Sequence, residues 1–269
     1  MASPKQYPIM GVEIVDAVGS SGQGKVAGGD AAILSLVFAA GQRPSLEDLV
    51  ELSQRDPISL RFTISHVPPG DPAWVELLAA GLTYDCHGLA PGHAALRPGR
   101  GTMLGLPDIP AGESISLQPG PHLLDGAGML PVVRILAGIG AELAQLPGLG
   151  GVFWQPAQCW MAPKYFRGVV AEWLGGGAFP ALGLTALQRD SNGAMVSVGL
   201  DFLIGQELRF EPDRRLVAAA VARIAMRLIH SLIESGPLTQ PADFSGPDGE
   251  RLRLEPIKNG RQLRVVLQR

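Results

Sequence analysis

Along this chain the apolar positions switch repeatedly between a period of two and a helical period. Ile33–Phe38 is a continuous apolar run of strand length, and Ile58–Ser65 alternates, with Ile58, Leu60, Phe62 and Ile64 on one face. Between them Pro44–Leu52 has helical spacing at Leu46, Leu49, Val50 and Leu52, with Ser45 as its N-cap and Asp48 as a weak capping-box acid. Pro8–Val18 reads as an earlier strand. Asp71-Pro72 predicts a second helix through Trp74, Leu77 and Leu78, because proline fits the first turn after an Asp cap. Strands alternating with helices in this way predict ferredoxin-like strand-helix-strand units in the first half.

The second half carries longer elements. Glu113–Leu117 is a short strand, and Met129–Leu146 a helix with Pro131 in its first turn. Gly138 and Gly140 each weaken that helix by about 1 kcal/mol relative to alanine, which predicts a close-packed neighbour. Val152–Gln155 reads as a strand, Pro156–Met161 as an irregular turn, and Pro163–Leu174 as a helix with Phe166, Val169, Val170, Trp173 and Leu174 as its apolar stripe. Leu182–Leu187 and Met195–Ile204 predict an antiparallel pair around the turn Arg189–Gly193. Pro212-Asp213 opens a helix that ends before Gly236 and buries Val217, Val221, Ile224, Leu228 and Leu232. Arg251–Leu267 predicts a hairpin turning at Asn259-Gly260, with Leu252 opposite Leu267, Leu254 opposite Val265, Pro256 opposite Leu263 and Glu255 opposite Arg264.

The class that follows is α+β: mixed or antiparallel sheets with packed helices and a C-terminal β-hairpin. Gly88–Gly112 is rich in glycine and proline and marks a boundary between an N-terminal half, residues 1–110, and a C-terminal half, residues 111–269. A long connection inside one domain is the alternative.

Composition narrows the function classes. At 269 residues with 46% hydrophobic and 17% charged positions, the chain can bury a large core. A net charge of −3 exerts no pull toward nucleic acid or acidic membranes. The most apolar helical stretches are interrupted by Arg134, Arg223 and Arg227, each costing roughly 3 kcal/mol at bilayer depth, so no membrane span is expected. Two cysteines, Cys86 and Cys159, and no signal-peptide pattern predict a cytoplasmic protein.

Local motifs give little chemistry. Gly19, Gly24 and Lys25 have the spacing of a phosphate-binding loop, but Val26 lacks the hydroxyl that holds Mg²⁺ and a strand-like run follows, so a flexible connection is expected. Asp85-Cys86-His87 with His93 is a local cluster of metal-ligand types, yet no second Cys/His group accompanies it, and neighbouring residues on a strand face opposite ways. No cofactor or metal is implied.

Gly151–Gly177 stands out: it holds Trp154, Trp160 and Trp173, three of the four tryptophans, together with Cys159 and Tyr165. Its pattern of an apolar helix, then Val-Phe-Trp-Gln-Pro-Ala-Gln-Cys-Trp, then Pro-Lys-Tyr-Phe opening a helix, resembles an uncharacterised bacterial domain-of-unknown-function family. Gly199–Leu208 resembles the same family. The resemblance covers about half the chain, mainly the C-terminal half, and rests on apolar and glycine positions. It implies a shared fold and no mechanism.

Two functions follow as expectations. The first is a non-catalytic binding or regulatory module that presents Trp154, Gln155, Trp160, Lys164 and Tyr165 to a protein or small-molecule partner, with Trp160 and Tyr165 as the exposed members. The second is an enzyme assembled from distant residues, with Cys159 as thiol, Lys164 as cation and Asp201 or Glu207 as acid. Whether the chain catalyses anything is open at this point.

Overall fold

Alternating apolar side chains from Leu34 onward pair into two sheets, whose inner faces are closed by helices. The computed structural model describes residues 32–268 apart from Pro72 and Arg214. The strand expected at Pro8–Val18 and the glycine-rich loop at Gly19–Asp30 lie outside the described residues. In chain order the first part runs β1 (Leu34–Phe38), α1 (Leu46–Gln54), β2 (Thr63–His66), β3 (Trp74–Ala79), β4 (Leu82–His87), β5 (Thr102–Leu104), β6 (Glu113–Pro119), a 3-10 turn at Pro121–Gly126, α2 (Leu130–Leu143), β7 (Leu149–Trp154), β8 (Cys159–Met161) and α3 (Pro163–Leu174). The second part runs α4 (Ala181–Leu184), β9 (Ala186–Arg189), β10 (Met195–Val198), α5 (Leu200–Ile204), β11 (Glu207–Phe210), α6 (Ala218–Ser235), β12 (Ala242–Ser245), β13 (Arg251–Ile257) and β14 (Gln262–Leu267).

The first sheet has eight strands in the order β2-β3-β4-β6-β1-β7-β8-β5. It draws strands from both sides of residue 110, and its ladders are antiparallel except between β5 and β8. The second sheet has six strands in the order β12-β13-β14-β11-β10-β9, with β11 and β14 parallel. Helices α2 and α3 pack together over the first sheet's inner face, against β1, β6 and β7. The apolar side of α6 joins the same continuous core as Leu208, Leu252, Leu254 and Leu263 of the second sheet. A small separate cluster of Val37, Phe153 and Trp160 lies on the first sheet's other, outer face.

Several expectations hold in detail. Ser45 caps α1, and Asp48 completes the capping box by accepting from the Ser45 amide at 2.8 Å. The glycine pair of α2 does admit a neighbour: a Cβ at Gly138 would stand 2.9 Å from Leu60 Cδ2, and one at Gly140 would collide with Leu34. The C-terminal hairpin has the expected register, including Leu252 with Leu267 and Glu255 with Arg264.

Other expectations are corrected. No helix follows Asp71: Trp74–Ala79 is a strand, so the strand-helix-strand pattern gives way after β2 to a meander. Val75, Leu77 and Ala79 are buried on alternate positions, and Ala80 and Gly81, both at positive φ, make the two-residue turn into β4. The alternating run from Ile58 becomes strand only at Thr63, because the amides of Ser59 and Leu60 donate to the buried Glu142 carboxylate of α2 instead of to a neighbouring strand. Cys159–Met161, expected as turn, pairs with β7 as a strand. The strand expected over Met195–Ile204 stops at Val198, since Gly199 turns the chain at φ 89° into α5. Leu182–Leu184 forms an irregular turn rather than a strand, with Gly183 at φ 111°. Helix α6 starts at Ala218 and not at Pro212, because the Asp213 carboxylate accepts from the Arg215 amide at 2.8 Å and ties Asp213 and Arg215 into a turn. Val217 is accordingly exposed.

Candidate functional site

The aromatic residues around Cys159 do not form a surface. Trp154 and Trp160 are both fully buried. The ladder pairs Trp154 with Cys159 and Phe153 with Trp160, which places the two indoles on opposite faces of the sheet. Trp154 donates its indole N–H to the Leu184 carbonyl at 3.1 Å, within the main core. Trp160 donates to the Gly99 carbonyl at 3.0 Å and packs on Phe153 with ring centroids 4.9 Å apart. Tyr165 is half-buried, its hydroxyl bonded to the Leu182 carbonyl at 3.1 Å, and burial pushes its phenol up to about 12. Gln155 and Lys164 are exposed. The exposure expected of Trp160 and Tyr165 is therefore corrected: both rings fill space, and both polar ends are already matched.

The groups considered for catalysis are also placed. Cys159 is buried, and loss of solvation pushes its thiol up to about 12, so the nucleophilic thiolate is disfavoured. Glu207 accepts from the Ser197 hydroxyl and from the Asp201 amide at 3.1 Å, and burial raises its carboxyl to about 8. It ties β10 and β11 to α5, with the Ser197 oxygen in turn accepting from the Leu208 amide at 2.7 Å.

A different constellation emerges on the outer face of the first sheet. In β3 the odd positions Val75, Leu77 and Ala79 enter the core, which turns Trp74, Glu76 and Leu78 outward. In β4 Tyr84 and Cys86 enter the core, which turns Thr83, Asp85 and His87 outward. The ladders then place Trp74 beside His87, Glu76 beside Asp85, Leu78 beside Thr83, and Asp85 beside Gln118 of β6. The three rings form a row across neighbouring strands, His66 to Trp74 at 5.7 Å and Trp74 to His87 at 5.9 Å. Ser65 donates to the Glu76 carboxylate at 2.6 Å. His66 and His122 are exposed, whereas Asp85 keeps 5% of its surface.

This face is marked by what its polar atoms lack. Trp74 Nε1, Thr83 Oγ1, Asp85 Oδ1 and His87 Nε2 are all closed off from solvent without a hydrogen-bond partner. An unpaired buried polar group costs about 1–3 kcal/mol, and four of them on two adjacent strands make a local concentration of unmet bonding. Loss of solvation raises the Asp85 carboxyl above its usual range; His87 and a hydrogen bond from the Gln118 side chain oppose the shift, and Glu76 reinforces it. The inventory is mixed: the indole donates, the carboxylate accepts, and the hydroxyl and imidazole do either. Cys86, between Asp85 and His87, does not join them: it points into the core and burial pushes its thiol up to about 12.

The sequence pattern brings Asp85 and His87 together only as a metal-ligand cluster that it sets aside, and it misses Trp74 and Glu76 because Asp71-Pro72 predicts a helix there. The signal was the alternation of Val75, Leu77 and Ala79 before Gly81. Among the described residues no cluster of three or more His, Cys, Asp or Glu side chains is placed to hold a metal.

A second polar surface lies on the C-terminal hairpin, where a groove of about 390 Å³ is lined by Asp213, Arg215, Glu255 and Arg264. Its charges are matched internally, Arg215 to Asp213 at 2.6 Å and Arg264 to Glu255 at 2.5 Å. No family model, curated protein or solved structure matches this chain.

Proposed function

We propose that the protein is a non-catalytic binding module, and that its ligand is a small polar molecule taken up on the outer face of β3 and β4. The observation that carries this reading is the set of four unpartnered buried atoms on Trp74, Thr83, Asp85 and His87. A ligand with both donors and acceptors matches them, and Trp74 offers an aromatic wall of the kind small-molecule sites use. The four atoms are closed to solvent and run along β4 from Thr83 to His87 and across to Trp74. The side chains above them must shift for a ligand to reach them, which asks less of a small molecule than of a flat protein surface. The free, buried thiols of Cys86 and Cys159 favour a reducing, cytoplasmic setting, and the net charge of −3 disfavours nucleic acid. Among the described residues no helix is long and apolar enough to cross a membrane.

Tryptophan fluorescence tests the reading. Trp154, Trp160 and Trp173 are buried, while Trp74 is half-buried at the face. Titration with a panel of neutral and charged small metabolites is expected to yield at least one saturable change that Trp74→Phe removes and Arg264→Ala leaves intact. A panel without any response, or a response unaffected by Trp74→Phe and His87→Gln, contradicts it.

A further inference from the structure

The β1–α1 loop carries a second unmet group, of a different kind. Arg43 donates from Nη2 to the Gly92 carbonyl at 2.6 Å. Its Nε and Nη1 are closed to solvent and have no acceptor. None of the ion pairs among the described residues includes Arg43. Asp48, an acid near in sequence, is committed to α1, accepting from the Ser45 amide at 2.8 Å. Glu113 accepts from the Gly41 amide at 3.3 Å.

A guanidinium does not shed its charge as a lysine or histidine does, so burial without a counter-charge is not relieved by losing a proton. Arg43 is half-buried, so the penalty falls on its two closed N–H groups, which have lost water and gained no acceptor. The surroundings hold it in place. Gly92 lies against Ala73 so closely that a Cβ would collide with the alanine methyl, and the Ala73 carbonyl accepts from Gly88 at 2.7 Å and Leu89 at 3.0 Å. The Pro44 carbonyl accepts from Ala90 at 2.9 Å, which fixes the Arg43 backbone against the same loop. Both ends of the contact are thus pinned, and Arg43 keeps part of its side chain at the surface.

We propose that Arg43 is an oxyanion-binding residue, taking the carboxylate or phosphate group of a ligand. The anion engages the Nε and Nη1 hydrogens, and a small rotation of the side chain from the Gly92 carbonyl gives it access. Hydrogen bonds to a charged acceptor are roughly twice as strong as those to a neutral carbonyl, so the exchange favours the anion. The inference stands on Arg43 alone and survives if the β3–β4 face binds nothing.

Thermal melting of the full chain at matched ionic strength tests it, with sodium chloride as reference and sodium acetate, phosphate and sulfate as probes. At least one oxyanion is expected to raise the wild-type Tm by roughly 3 °C or more at saturation. A response to phosphate or sulfate assigns a phosphoryl-type group, and one to acetate alone assigns a carboxylate. Arg43→Met is expected to melt at or above the wild type in chloride and to lose the oxyanion response, while Arg43→Lys keeps a reduced one. No oxyanion response in the wild type overturns the proposal. So does an Arg43→Met protein that retains the response, melts several degrees lower in chloride or fails to fold, since that makes the Gly92 contact structural.

Discussion

The outer faces of the two sheets differ in how they handle polar side chains, although Gln262 Oε1 of β14 is also closed off without a partner. On the C-terminal hairpin, Arg253, Glu255 and Arg264 stand partly exposed and matched: Arg264 meets Glu255, and Arg253 meets Asp243 at 3.0 Å. On β3 and β4, Trp74, Thr83, Asp85 and His87 bring atoms out of solvent and leave them unmatched. Exposed pairs gain little and lose little, because water competes for every bond. Buried unpaired groups carry their full desolvation penalty. Several such groups side by side carry a cost that a ligand able to meet them would remove, and this is the ground on which we propose the β3–β4 face, and not the hairpin, as a binding site.

The same contrast appears between two buried acids of the first sheet and its helices. Glu142 is 3% exposed and accepts from the amides of Ser59 and Leu60 and from Gln145. Asp85 is 5% exposed and has Oδ1 without a partner. Glu142→Ala should therefore be the most damaging change, destabilising by about 2–4 kcal/mol in urea denaturation, because it orphans two backbone amides as well as leaving a cavity. Asp85→Asn should leave stability at neutral pH unchanged or raise it. Equal losses in the two variants would erase the contrast.

Titration sharpens it further. Glu207 holds its proton in the fold up to about pH 8, against the usual 4.5 in the unfolded chain. Folding takes up a proton across that window, so stability should fall as pH rises from about 4.5 to about 8 and stay lower above it. Glu207→Gln should flatten most of this slope in melts taken from pH 4 to 9. Asp85, also raised, acts in the same direction, and Asp85→Asn should remove a further part of the slope. A wild-type stability that climbs between pH 5 and 8 contradicts both assignments. The smallest effect belongs to the second sheet: a double-mutant cycle on Glu255 and Arg264 with alanine should give a coupling of about 0.2–1 kcal/mol.

Much of the fold was legible because local rules and burial agree. Asn259-Gly260 and the alternation from Leu252 to Leu267 specify one hairpin register, since a slip by one residue turns every apolar side chain outward. Ser45 and Asp48 specify the start of α1 in the same local way. Legibility failed where one pattern fits two structures. Trp74, Leu77 and Leu78 match a helical face, but Val75, Leu77 and Ala79 match a strand equally well, and the turn at Ala80-Gly81 decided between them. The parallel pairing of β11 with β14 has no local signal, because it joins segments more than fifty residues apart. The site was illegible for a related reason. Aromatic content drew attention to Trp154 and Trp160, yet a tryptophan's role depends on whether its ring and N–H are met by the rest of the fold. Hydrogen-bond satisfaction is set by contacts distant in sequence, and no spacing rule reports that Trp74 is left unmet while Trp154 and Trp160 are not.

The central claim is that the outward polar groups of β3 and β4 are unmatched in the protein by itself. Thr83→Val tests it most directly, because valine keeps the shape of threonine and removes only the hydroxyl whose oxygen has no partner. Urea denaturation at neutral pH should give a variant more stable than the wild type by about 1 kcal/mol. A Thr83→Val protein that is less stable by a similar amount would show that the hydroxyl is already bonded, and the case for a vacant polar site on this face would go with it.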